Sequence, residues 1–106
     1  MLKAEYRPRA AYDVESIVTY IAQTHKAPLA ARAWYEKLKD NVALLCENPD
    51  LGRIFSDERL TLKERRTFLV GQYRLFYSYN KDTLTIWRIL HTSQDIDDYA
   101  LVDLSD

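Results

Sequence analysis

The sequence predicts an α+β domain in which two antiparallel helices pack on one face of a mainly antiparallel sheet. Two observations carry that expectation. In the first half of the chain apolar residues recur at spacings of three and four, the period of a helix with one buried stripe. In the second half, short runs rich in Tyr, Phe, Leu, Ile and Trp are separated by Gly, Asn and Asp, the pattern of strands joined by tight turns.

Residues 3–7 are few, mixed in polarity and followed by Pro8, which suits an opening strand at a sheet edge or one pairing across a sheet. From Arg9 to His25 the residues Ala10, Val14, Ile17, Val18 and Ile21 form one apolar stripe. Thr24 to Ala27 break the pattern, and Pro28 fits the first turn of a second helix, where its missing N–H costs nothing. That helix is expected from about Leu29 to Glu47, with Ala31, Trp34, Leu38, Val42 and Leu45 as its stripe and Asn48-Pro49 as its stop. Residues 48–60 read as a loop. Strands are then expected at Arg65–Val70, Tyr73–Tyr79 and Thr83–His91, joined by Gly71-Gln72 and by Asn80-Lys81-Asp82. A short helical turn is expected around Asp95 to Leu101. The order is strand, helix, helix and three strands (β-α-α-β-β-β) with a short C-terminal segment. A helical hairpin can cover only one sheet face, so the other is expected to stay at least partly open.

With 106 residues the chain is expected to form one domain over 1–106, since domains usually run to about 100–150 residues. At that size roughly 65% of the extended chain's surface is buried, enough for a core without metal or disulfide. Cys46 is the sole cysteine, so no internal disulfide forms, and no Cys/His set has zinc spacing. No cofactor or metal is expected. The charged start excludes a signal peptide and no run is long enough to span a bilayer, which points to the cytoplasm. The net charge of -1 hides an uneven distribution: residues 1–91 hold fifteen Lys and Arg against eleven acids, a balance of +4, whereas residues 92–106 hold five Asp and no base. A basic body could meet a polyanion or an acidic protein segment; the acidic tail would repel phosphates unless it folds away.

Asn48-Pro49-Asp50-Leu51-Gly52-Arg53, Tyr73-Arg74-Leu75-Phe76-Tyr77 and Ile86-Trp87-Arg88-Ile89-Leu90-His91, closing with Asp95, resemble the RelE/ParE toxin superfamily, and its ParE-like or plasmid-stabilisation branch most closely. The resemblance covers nearly the whole chain through the order and spacing of these pieces. It implies a type II toxin neutralised by a cognate antitoxin. ParE-like members poison DNA gyrase and RelE-like members cut messenger RNA on the ribosome, so the fold alone does not choose between them.

RNA cleavage needs a proton acceptor, a proton donor and cations on the phosphate. His91, Arg74 and Arg88 are the candidates for that chemistry; a strand-end histidine bonded to backbone and structurally satisfied arginines are the competing readings. If Lys81-Asp82 forms a two-residue loop, Arg74 shares a face with Trp87 and His91; a three-residue loop sets Arg74 against Arg88. The two-residue loop is the expected one. Candidates for binding a partner protein are Arg65, Arg66, Arg74, Trp87 and Arg88, with Arg65 and Arg66 on opposite faces because they are adjacent. Trp34 reads as core, His25 as a partner for the last helix carbonyls, and Tyr99, beside Asp97-Asp98, as packing. The pI near 6.1 and the absence of bases after His91 mean weak phosphate attraction, which favours a gyrase-directed toxin over a nuclease. A member that only binds its antitoxin or pairs with a copy of itself is the third expectation.

Overall fold

The computed structural model describes residues 1–57, 64–94, 96 and 104. The elements are β1 (Lys3–Tyr6), α1 (Pro8–Thr19), α2 (Pro28–Glu47), β2 (Arg53–Phe55), β3 (Arg65–Val70), β4 (Tyr73–Tyr79) and β5 (Thr83–His91). They form a five-stranded sheet of order β1-β5-β4-β3-β2, in which β1 runs parallel to β5 and every other pairing is antiparallel. The helical hairpin covers one sheet face, as the amphipathic stripes require. Ala31, Trp34, Leu38, Val42 and Leu45 of α2 are all buried, and the last four share a core cluster with Val70, Leu75, Leu84, Ile86 and Ile89 of the sheet. Full burial of each large apolar side chain contributes about 1.5–3 kcal/mol, so this layer is the main source of stability.

The sequence reading and the structure differ at four places. The helix expected to His25 stays α-helical only to Thr19; Tyr20–Thr24 widen into a π-helical turn, closed by His25 N–H donating to the Tyr20 carbonyl at 3.2 Å. Lys26 then adopts φ 52°, which reverses the chain before Pro28 starts α2. The stretch read as loop contains β2, whose three residues pair with Arg65–Thr67 at the sheet edge. Three residues are too few to show a period of two.

The third difference is a β-bulge. The Lys81-Asp82 loop has the expected two residues, with Asn80 Oδ1 accepting from the N–H groups of Asp82 and Thr83. Tyr77 accordingly pairs with Ile86, but Phe76 pairs with Arg88, so Trp87 is the extra residue. Beyond the bulge the register slips by one: Arg74 lies opposite Leu90, and His91 opposite Tyr73. Arg74 and His91 therefore face opposite sides of the sheet, contrary to the companionship expected from an unbroken ladder.

The fourth concerns the second sheet face, which is partly open as expected, with Leu69 57% exposed, but is also partly covered by the chain's own tail. Leu104 of the acidic tail is fully buried there, in a cluster with Phe76 and Leu90 against which Phe55, Trp87 and Ile96 pack. The helical turn expected around Asp95 to Leu101, and Tyr99 within it, lie outside the described residues. No helix among the described residues is long and apolar enough to cross a membrane.

Candidate functional site

The bulge in β5 has a partner in α1. β1 pairs with β5 only as far as Ile86, so from Ile89 onward that edge of β5 has no strand neighbour among the described residues. Asp13, on the buried side of α1, fills the gap: its Oδ2 accepts from the Ile89 N–H at 3.0 Å and from Arg88 Nε at 2.7 Å, while Oδ1 accepts from Arg88 Nη2 at 3.1 Å. Both side chains are buried, so the charges meet in a poorly solvated place. Arg88 thus ties helix to sheet.

Arg66 is also engaged inside the chain. Its guanidinium donates to the carbonyls of Asp50 and Gly52, at 3.2 and 2.9 Å, and lies 3.4 Å from the Glu64 carboxylate. Tyr77 grips the same loop: its hydroxyl donates to the Pro49 carbonyl at 2.7 Å and accepts from the Gly52 N–H at 2.9 Å. The Asn48–Arg53 segment is therefore a clamped connection between α2 and the sheet edge. Tyr79 adds a hydrogen bond to the Asp50 carboxylate.

Arg65, its neighbour in β3, lies on the second sheet face. Its guanidinium sits 4.1 Å from the centre of the Trp87 ring, and Arg7 lies 5.3 Å from the same ring. Trp87 is fixed by its indole N–H, which donates to Ser78 Oγ at 2.8 Å. Phe55 and Phe76 meet edge to face beside it at 5.2 Å. Arg74, half-buried, makes no hydrogen bond or ion pair among the described residues. This face thus combines cations with aromatic rings, and Leu104 and Ile96 of the tail lie on it.

His91 looks the other way. It borders a cleft of about 720 Å³ at the end of the molecule, between the π-helical turn, the start of α2 and the end of β5. Tyr20, His25, Trp34, Tyr73 and Ser93 share that cleft. The Nδ1 of His91 accepts from the Ser93 N–H at 3.0 Å and lies 2.6 Å from Ser93 Oγ. Because Nδ1 accepts, the neutral ring carries its proton on Nε2. Burial, and after it the neighbouring Tyr20 phenol, push the Tyr73 hydroxyl above its ordinary pKa. Trp34 is core as expected, its indole N–H donating to the Val70 carbonyl at 3.2 Å. His25, which the sequence reading set aside, is the residue that reasoning missed. Only the widened turn brings it level with the end of β5, and a one-dimensional pattern does not register a π-helical turn.

Of the expected set, Arg65, Trp87 and Arg74 share the second face, Arg88 and Arg66 are held by Asp13 and by the Asn48–Arg53 segment, and His91 lies on the opposite side. Among the described residues no group of three or more His, Cys, Asp or Glu could hold a metal ion. A helical hairpin on a sheet, with a clamped Asn-Pro-Asp-Leu-Gly-Arg loop and a cationic aromatic patch behind it, defines a small α+β protein of the expected class. Residues 4–96 match the family model of the ParE toxin of type II toxin-antitoxin systems, and the chain belongs to that family. Its fold is similar to that of a solved structure described as the chromosomal ParDE TA system from P. aeruginosa, at 17% identity and a TM-score of 0.65, covering 86% of this chain and 96% of that one. A comparison with curated proteins gives no match.

Proposed function

We propose that this protein arrests growth by binding DNA gyrase and is held inactive by a cognate antitoxin in the cytoplasm. The observation that carries this reading is the division of the expected cations. Arg74, Arg88 and His91 do not converge on one point where a phosphate could be held and a proton moved, which is what a nuclease centre needs. The second face, by contrast, offers a buried arginine stacked on a tryptophan beside two phenylalanines, the residue types that dominate protein interfaces. Arg65, Trp87 and Arg74 are the residues this reading assigns to the partner face; Arg66 and Arg88 support it from within. The solved neighbour is described as a ParDE system, which supports an antitoxin as the second partner.

The test is a gyrase supercoiling assay with the purified chain, with and without the small protein encoded in the neighbouring reading frame. Inhibition that the second protein relieves is expected. Unaffected supercoiling at every concentration, combined with transcript cleavage in arrested cells, would replace this reading with the ribosome-dependent nuclease. Normal growth on expression of the chain alone would replace it with a member that only binds its antitoxin.

A further inference from the structure

The second sheet face has a covered end and an open end. Leu69, Arg74 and Leu90 stand side by side across β3, β4 and β5. Leu90 is 4% exposed in the cluster that holds Leu104, whereas Leu69, at the other end of the same row, is 57% exposed. Arg53 of β2 lies opposite Thr67, two residues before Leu69, and so points to the same face. The open end thus presents a leucine between two arginines, of which Arg53 is exposed and Arg74 half-buried. Neither guanidinium forms a hydrogen bond or ion pair among the described residues, and a leucine so exposed adds little to the core. The fold leaves these three side chains largely unused.

Their spacing is set by the sheet. Neighbouring strands lie about 4.8 Å apart and rise about 3.4 Å per residue, so Arg53 and Arg74, two strands apart and offset by two residues, are about 12 Å apart at Cα. In an extended peptide, residues i, i+2 and i+4 share a face, and the outer two lie about 13 Å apart. We propose that the open end docks an extended acidic segment of a partner protein, with an aliphatic side chain on Leu69 and a carboxylate two residues to either side meeting Arg53 and Arg74. The proposal rests on the reading of this face as the partner face, and adds the chemistry of what it takes. Charge complementarity selects the carboxylates, since each guanidinium offers a fork of donors. The aliphatic anchor has a precedent on the same face, where Ile96, between Asp95 and Asp97 in sequence, and Leu104, next to Asp103, already pack. A nucleic acid suits the open end less well. It would set phosphates beside an exposed leucine, and the rings on which bases could stack, Phe55, Phe76 and Trp87, pack in the cluster with Leu104.

Backbone-amide NMR of the intact chain at low ionic strength, titrated with the capped heptapeptide Ala-Asp-Ala-Leu-Ala-Asp-Ala, tests this. Saturable shifts are expected at Arg53, Thr67, Leu69 and Arg74, with a Kd on the order of a millimolar. Peptides with Asn for both Asp, or Ala for Leu, are each expected to bind about tenfold more weakly. These comparisons use the natural chain and need no variant. The double variant Arg53→Glu, Arg74→Glu changes side chains outside the core, and is expected to lose the acidic peptide and to gain the one with Lys for both Asp. No saturable shift, equal binding of the Asn or Ala peptide, a double variant that still prefers the acidic peptide, or tighter binding of a uridine hexanucleotide at the same amides would each overturn the proposal. Gyrase is absent from these titrations, so a negative result here is distinct from a negative supercoiling assay.

Discussion

Gly52 sits where a side chain has no room. A Cβ there would lie 2.5 Å from the Tyr77 hydroxyl and 2.7 Å from the Thr67 carbonyl, although its φ of -73° suits any residue. The reason for glycine is thus close approach, because the Tyr77 hydroxyl must reach the Gly52 N–H. Gly52→Ala is expected to cost about 2 kcal/mol in urea unfolding, through overpacking and loss of that hydrogen bond; a change below about 0.5 kcal/mol would show the clamp to be loose. Tyr6 makes a different kind of prediction. Burial, helped by the nearby Tyr35 phenol, raises its pKa from 10.0 to about 12. The unfolded chain therefore loses this proton first as pH rises, and stability that is complete below pH 10 declines as the pH approaches 12. Replacing it in Tyr6→Phe should make the alkaline limb of a stability-against-pH curve shallower than in the natural chain.

Elements whose burial pattern repeats along the chain were legible in the sequence. Every residue assigned to the α2 stripe is buried, and the boundaries of β3, β4 and β5 stand where the turn residues put them. What escaped was decided by contacts distant in sequence. The β5 bulge gives no local signal, because its stabilising group is Asp13, seventy-six positions before Ile89, whose amide it accepts. Asp13 itself lies on an apolar helix face, between Ala10 and Ile17, and an acid in that position is a sign that a buried cation or amide awaits it. The site was misread for the same reason: one inserted residue moves His91 to the face opposite Arg74. Asp13→Ala is expected to destabilise the chain by about 3 kcal/mol, since it removes the carboxylate that pairs with a buried guanidinium and accepts from the Ile89 amide. Adding Arg88→Met should recover part of that loss, because it removes the buried charge that Asp13 balanced. A single mutant as stable as the natural chain in chemical denaturation would mean that α1 and β5 are not coupled through this pair.

At the scale of the molecule, the helical hairpin covers one sheet face, and Ile96 and Leu104 of the acidic segment cover part of the other. The apolar Leu101, Val102 and Leu104 stand among the acids of the tail, and Leu104 is buried against Phe76 and Leu90. Leu104 and Ile96, which come from a stretch of sequence with five Asp, lie on the face that holds Arg65, on a body whose balance is +4. Leu104→Asp puts a charge into an apolar contact and is expected to release the segment. Two readouts separate release from a simple loss of packing. Lost packing alone lowers the urea midpoint and leaves the slope of the unfolding curve unchanged, whereas release also lowers the slope, because the folded state already exposes part of the surface that unfolding would uncover. Release further exposes Phe76 and Leu90, so binding of an apolar dye or self-association should rise with it. An unchanged slope with no added dye binding would show that the sheet face stays covered without Leu104, and a partner would then have to compete with more than this one anchor.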